Sequence, residues 1–206
     1  MMGADYTSLP PDLPVPEDDG AADHLPGAAI PSLPLAATAD PDGVPPARRE
    51  ELRSRGTLDI AALAEETLVA YVYPRTGAPG LPLPDGWDDI PGARGCTPQS
   101  CAYRDALAAF AALGVKVIGL SAQPSVEQAA FAQREQIGFP LLSDPRLRLA
   151  RSLGLPTFEA GGARLYRRLT FVAEAGRIVK VFYPVFPPDR DAAHVLGWQP
   201  DRPPAA

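Results

Sequence analysis

The sequence has few of the residues that build metal centres, disulfide frameworks or nucleic-acid-binding surfaces. Its 206 residues include only two cysteines and two histidines, so no zinc site with several Cys and His ligands is expected. The sequence has 19 Lys and Arg residues and 25 Asp and Glu residues, which gives a net charge of −6. Such an acidic chain lacks the basic face that binding to a phosphate backbone requires. No uninterrupted apolar run approaches the length of a membrane span.

The N-terminal residues also lack a secretory signal. The segment MMGADYTSLPPDLPVPEDD has no basic stretch followed by an apolar core, so we expect a cytoplasmic protein. In that compartment two cysteines are expected to be catalytic or redox-active rather than structural.

Proline, in contrast, is abundant, and its 26 residues are unevenly distributed. Residues 1–20 combine proline with acidic and small residues, so we expect a disordered tail. Residues 21–200 are expected to form one domain, followed by a short tail at 201–206. Residues 76–95 form a second Pro/Gly-rich segment, too long for an ordinary strand-to-helix connection, and we interpret it as an inserted loop.

Strands and helices alternate between these segments. The run TLVAYVY at 67–73 is apolar, β-branched and aromatic without alternation, which predicts a buried central strand. An earlier strand around Leu35 is expected at a sheet edge, because Pro31 and Pro34 flank it. Further helices are predicted at 47–55, 97–113, 125–136, 145–153 and 189–196, and further strands at 115–120, 139–142, 168–172 and 177–183. This order predicts an α/β fold with a mixed central sheet flanked by helices.

The two cysteines share the segment GCTPQSCAYRD. Cys96 precedes a predicted helix, where free backbone N–H groups and the helix dipole favour a thiolate. On a continuous helix the Cα atoms of Cys96 and Cys101 would be about 8.6 Å apart, beyond the roughly 7 Å that a disulfide tolerates. A bond between them would require the helix to unwind, which suits a cycling disulfide. Taken alone, Cys101 fits a small buried apolar residue equally well.

The sequence resembles the bacterioferritin-comigratory (Q-type) branch of the peroxiredoxins over about residues 25–198. Six segments carry the resemblance, and they occur in the order expected for that branch: YVYPRTG, GCTPQSCAYRD, VIGLSAQ, FPLLSDP, RLTF and GRIVKVF. The resemblance implies a thioredoxin-like fold, with the long insertion placed before the active-site helix. It implies reduction of hydrogen peroxide or alkyl hydroperoxides by thiol chemistry, without a metal or bound cofactor. Cys96 would be the peroxidatic cysteine, Cys101 the resolving cysteine that forms a disulfide with it, and Arg168 the active-site arginine. The implied partners are a hydroperoxide and a thioredoxin-like or glutaredoxin-like reductant, with neither nucleic acid nor membrane, for a monomer or homodimer.

One position departs from the family pattern. The family usually has a threonine three residues before the peroxidatic cysteine, where this chain has Ala93. We predict Thr76 as the displaced equivalent, if the insertion loops out and returns, and Thr97 as a less favoured substitute that contacts substrate. Gln99 is placed with the substrate-binding residues, where it would form hydrogen bonds behind the groups that touch the peroxide. An exposed glutamine in the first turn of the helix is the equal alternative. Trp87 either anchors the inserted loop or covers the site, and an anchor is favoured.

Two other functions fit the same residues. A thiol–disulfide exchange enzyme of this fold would attack a disulfide in place of a peroxide. A catalytically weak thioredoxin-like module would bind a partner through the Pro-rich insertion, and the absent threonine keeps this alternative open. The alternative for Arg168 is a surface charge at a strand edge.

Overall fold

A computed structural model describes residue 6, residues 8–38 and residues 46–198. Within these residues the strands are β1 (Pro34–Ala37), β2 (Thr57–Asp59), β3 (Leu68–Val72), β4 (Lys116–Ser121), β5 (Leu141–Ser143), β6 (Thr157–Ala160), β7 (Ala163–Tyr166), β8 (Leu169–Glu174) and β9 (Arg177–Phe182). The α-helices there are α1 (Pro46–Arg55), α2 (Ile60–Leu63), α3 (Cys96–Asp105), α4 (Leu107–Ala112), α5 (Ser125–Glu135), α6 (Arg148–Leu153) and α7 (Asp191–Gly197). Short 3₁₀ helices lie at Trp87–Asp89 and Pro188–Arg190.

Seven strands form one mixed sheet in the order β2-β1-β5-β4-β3-β8-β9. The pairs β3–β4 and β4–β5 are parallel, and the remaining pairs are antiparallel. One face carries α1, α2 and α6, and the other carries α3, α4, α5 and α7. The predicted α/β class, with a mixed sheet flanked by helices, is confirmed.

Strand β3 lies inside the sheet and contributes to both hydrophobic cores. Leu68, Ala70 and Val72 belong to the core under α1, α2 and α6, whereas Val69 and Tyr71 belong to the core under α3, α4, α5 and α7. All five residues of β3 are buried. Because helices cover both faces, the strand has no reason to alternate apolar with polar residues. The prediction of a buried central strand is therefore confirmed.

Other sequence predictions differ from the structure. Strand β1 is not at an edge, because it pairs with both β2 and β5. Pro34 is its first residue, a position where a strand tolerates proline. The edge strand on this side of the sheet is β2, which the sequence analysis did not identify. The helix predicted at 97–113 is interrupted at Ala106, where α3 gives way to α4.

The antiparallel pair β6–β7 forms a separate two-stranded sheet that was also not predicted. Gly161 and Gly162 connect its strands with positive φ angles of 56° and 74°. A Gly-Gly pair between strands is a recognised hairpin signal, so the sequence did carry it. The hairpin predicted from the two late strands is confirmed as β8–β9, joined by Ala175 and Gly176.

The described part of the predicted N-terminal tail makes contacts with the rest of the domain. Asp19 accepts a hydrogen bond of 2.8 Å from the Tyr183 hydroxyl, and its carboxylate lies 3.6 Å from the Arg167 guanidinium. The Tyr6 hydroxyl donates to the Leu81 carbonyl at 2.8 Å. These contacts cross long sequence distances, so local composition gave no signal of them. The residues 1–5, 7 and 199–206, including the predicted C-terminal tail, lie outside the described residues.

None of the helices in the described part of the chain is both long enough and apolar enough to cross a bilayer.

Candidate active site

Cys96 is the first residue of α3 and is 3% exposed. Gly95, with φ of 100°, turns the chain into the helix, and a Cβ at that position would lie 2.3 Å from Pro188 Cγ. The helix is fixed to the sheet by Tyr71, whose ring stacks on Tyr103 at 4.5 Å and whose hydroxyl bonds Ser100 Oγ at 3.0 Å. Packing on the central strand therefore holds the helix N-terminus, and the thiol with it, in a fixed place.

Arg168 immediately precedes β8 and is 3% exposed. Its Nη2 lies 3.1 Å from the Cys96 Sγ and donates to it. The guanidinium also donates to the carbonyls of Gly92, Ala93 and Arg94, at 3.0–3.1 Å. A buried guanidinium with this many acceptors is not a surface charge. It fixes the end of the inserted loop and places a positive charge beside the thiol.

Gln99 connects this arginine to a buried carboxylate. Gln99 is fully buried, its Oε1 accepts from Arg168 Nη1, and its Nε2 donates to Asp191 Oδ2 at 2.8 Å. The same carboxylate oxygen accepts from Thr170 at 2.7 Å and from Tyr103 at 2.9 Å. Burial raises the pKa of Asp191 above its usual range, and the three hydrogen bonds oppose that shift. The alternative of an exposed glutamine is therefore wrong.

Cys101 lies on the same helix and is half-buried. Both cysteines are free, and α3 runs unbroken from Cys96 to Asp105. Their Cα atoms are thus separated by the helical spacing of about 8.6 Å, beyond disulfide range. Burial raises the pKa of the Cys101 thiol, while the nearby Arg104 charge lowers it.

A small cavity opens at the thiol. It is lined by Tyr6, Arg75, Gly77, Leu83, Trp87, Arg94, Gly95, Cys96 and Thr97. The cavity volume is only about 10 Å³, which is near the minimum that holds one water. Thr97 is 3% exposed, and its hydroxyl has no hydrogen-bond partner. An unpaired buried hydroxyl is unfavourable unless something else supplies the partner.

Thr76 is oriented differently. Its hydroxyl donates to Gln123 Oε1 at 3.0 Å, and its backbone N–H donates to the same oxygen at 2.8 Å. It lines a neighbouring cavity together with Gln123, whereas its sequence neighbours Arg75 and Gly77 line the cavity at Cys96. The hydroxyl predicted to replace the missing threonine is thus already hydrogen-bonded elsewhere.

Trp87 anchors the inserted loop, as predicted. Its side chain is 3% exposed and forms a small apolar cluster with Ala93 and Leu165. Its ring centroid lies 6.1 Å from that of Phe158 on β6. The β6–β7 hairpin therefore supports the loop that leads to Cys96.

Two residues of the site were not identified from the sequence. Asp191 carries no motif, and it reaches Gln99 across 92 positions of sequence. Tyr6 lies in a segment without apolar periodicity. Within the residues that the structure describes, no three His, Cys, Asp or Glu side chains cluster as metal ligands would.

Most of the chain is similar to proteins of a known family. Residues 39–196 match the family model described as Redoxin. Peroxiredoxin Q of Suaeda salsa chloroplasts is 27% identical over 149 residues, covering 72% of this chain and 62% of that protein. Peroxiredoxin bcp1 of Schizosaccharomyces pombe is 33% identical over 104 residues, covering 50% of this chain and 45% of that protein.

The chain spans only about half to six tenths of the length of the chloroplast relatives. Among solved structures, peroxidoxin BcpB from Mycobacterium tuberculosis superposes with a TM-score of 0.61 at 23% identity. This alignment covers 84% of this chain and 94% of that chain. The similarity confirms the thioredoxin-like fold.

Proposed function

The chain belongs to the Redoxin family, and we propose that it is a thiol-dependent peroxidase of the Q-type peroxiredoxin branch that acts on hydroperoxides. The observation that carries the proposal is the 3.1 Å contact between Arg168 Nη2 and Cys96 Sγ at the start of α3. A guanidinium and a helix N-terminus both favour the thiolate, which is the nucleophile.

The first step is the attack of the Cys96 thiolate on one oxygen of the hydroperoxide. The S–O bond forms, the O–O bond breaks, and the departing oxygen takes a proton to leave as water or an alcohol. Cys96 is oxidised to a sulfenic acid. Arg168 lies within donor range of the sulfur, so it can orient the peroxide and stabilise the charge that develops on it.

Thr97 supplies the hydroxyl that the missing motif threonine would have supplied. Its buried hydroxyl lacks a protein partner and belongs to a residue that lines the cavity at Cys96. A peroxide oxygen in that cavity would provide the missing partner. The Thr76 hydroxyl is a weaker candidate, since Gln123 already accepts from it.

Gln99 acts by positioning Arg168. Both ends of its amide are bonded to protein groups, one to Arg168 and the other to Asp191. Those contacts favour a positioning role over the predicted direct contact with substrate.

The second step joins the two cysteines. The first turn of α3 unwinds, and the Cys101 thiolate attacks the sulfenic sulfur. An S–S bond forms, the S–O bond breaks, and the oxygen leaves as water after protonation. A dithiol protein of the thioredoxin or glutaredoxin class then returns two electrons and two protons, which restores both thiols.

The experiment measures peroxide consumption by reduced protein. We expect Cys96→Ser to consume none and Cys101→Ser to consume one equivalent and accumulate a sulfenic acid. Turnover of a disulfide substrate without any consumption of peroxide would overturn the proposal in favour of a thiol–disulfide exchange enzyme.

A further inference from the structure

The N-terminal residues cover the cavity at Cys96. Residues 6 and 8–20, which we name the N-terminal strap, run along the surface of the domain, and Tyr6 forms part of the cavity wall. Leu9 packs on Gly95, where an added Cβ would lie 2.7 Å from its Cδ2. Further along, Asp19 secures the strap to Tyr183 and Arg167.

Tyr6 is held from three directions. Its hydroxyl donates to the Leu81 carbonyl at 2.8 Å, and the Arg94 guanidinium lies 5.5 Å from its ring centroid. The ring also rests against Gly77, where an added Cβ would lie 2.5 Å from Tyr6 Cδ1. A glycine at this position is what allows the ring to lie so close to the backbone. The body of the protein therefore contains a fitted place for this side chain.

The consequence is a narrow site. With Tyr6 in place, the cavity beside Cys96 has a volume of about 10 Å³, near the minimum that holds one water. Hydrogen peroxide is one heavy atom larger than water. A hydroperoxide with a branched or aromatic substituent needs a much larger cavity. The Tyr6 side chain lines the cavity and occupies volume that such a substituent would need.

We propose that Tyr6 is a specificity-determining residue, which makes the site selective for hydrogen peroxide over bulky alkyl hydroperoxides. This inference rests on the proposed peroxidase function, because it concerns which substrate reaches the same sulfur. The side chain takes no part in the chemistry and acts by excluding volume.

The test compares second-order rate constants for oxidation of reduced protein by hydrogen peroxide and by cumene hydroperoxide. The wild-type ratio should favour hydrogen peroxide by about tenfold or more, as expected when a pocket excludes extra substrate atoms. Tyr6→Ala should raise the cumene hydroperoxide rate by about tenfold and change the hydrogen peroxide rate by less than about threefold. Val15→Ala is the matched control, because Val15 is on the same strap but is 65% exposed, and its ratio should equal that of the wild type.

The outcomes separate this inference from the proposed function. If the wild type is oxidised by neither hydroperoxide, the peroxidase proposal is wrong. If the wild type reacts with both but Tyr6→Ala leaves their ratio unchanged, the peroxidase proposal stands and the role of Tyr6 is overturned. An equal rise in both rates would also overturn it, since Tyr6 would then merely cover the thiol.

Discussion

Replacing Arg168 by methionine removes the positive charge at Cys96 while keeping an unbranched side chain in the buried site. Arg168 is 3% exposed, and its Nη2 donates to the Cys96 Sγ at 3.1 Å. Methionine has neither a donor nor a charge. The thiolate and the departing peroxide oxygen would therefore lose the buried cation that stabilises them.

The size of the effect follows from that one contact. A hydrogen bond to a charged group contributes about 1.5–3 kcal/mol. Since each 1.36 kcal/mol corresponds to a factor of ten in rate, we expect R168M to react with hydrogen peroxide about 10- to 150-fold more slowly. Lysine keeps the charge but lacks the planar guanidinium whose several N–H groups reach the loop carbonyls and Gln99. The rate constant of R168K should therefore lie between those of R168M and the wild type.

The assay is stopped-flow oxidation of reduced protein, which gives the second-order rate constant before the disulfide forms. The matched control is R167M, because Arg167 is the sequence neighbour but is 44% exposed in its side chain and pairs only loosely with Asp19 at 3.6 Å. An exposed pair of this kind adds little to stability, and Arg167 has no hydrogen bond to Cys96 in the described part of the chain, so the rate constant should stay near that of the wild type. Equal rates for R168M and R167M would refute the assignment of Arg168.

Three further predictions concern residues near Cys96 and Arg168. Asp191→Ala should lower the free energy of unfolding by more than about 3 kcal/mol, because three buried donors lose their acceptor; urea denaturation measures this. Thr97→Val should raise the free energy of unfolding by about 1 kcal/mol, because it removes a hydroxyl without a partner, and should also slow oxidation by hydrogen peroxide. The disulfide-forming phase should accelerate as pH rises, because burial raises the pKa of Cys101 and leaves little thiolate at neutral pH. Arg104→Gln removes a charge that lowers this pKa, so the phase should slow at each pH.

Each of these three predictions has its own control or its own result that would contradict it. Asp189→Ala is matched to the Asp191 variant, because Asp189 is exposed, and it should change the free energy of unfolding by less than about 0.5 kcal/mol. A Thr97→Val protein that reacts with hydrogen peroxide as fast as the wild type would show that its hydroxyl does not contact substrate. A disulfide-forming phase that does not change with pH would contradict attack by the Cys101 thiolate as the step that limits this phase.

Features set by a local pattern were predictable from the sequence. The continuous apolar run of β3 reflects burial on both faces, and the spacing of Cys96 and Cys101 follows from their placement on one helix. Trp87 was expected to anchor its loop because a large aromatic side chain in such a segment buries apolar area. In each case the residues involved are close in sequence or act through their own chemistry.

Features that depend on tertiary contacts were not predictable. The position of β1 inside the sheet depends on pairing with β2 and with the distant β5. Gln99 was ambiguous because its partners, Arg168 and Asp191, lie 69 and 92 residues away. The composition around Tyr6 indicates disorder, and only the space at Gly77 and the Leu81 carbonyl give that side chain a place.

The central claim, that Cys96 is the sulfur that peroxide oxidises, is tested most directly by intact-protein mass spectrometry after one equivalent of hydrogen peroxide. The account predicts that the reduced wild type loses two hydrogens, with the new bond mapped between Cys96 and Cys101. It predicts that Cys101→Ser gains a single oxygen, located on Cys96. An unchanged mass, or oxygen found only on other residues, would contradict it.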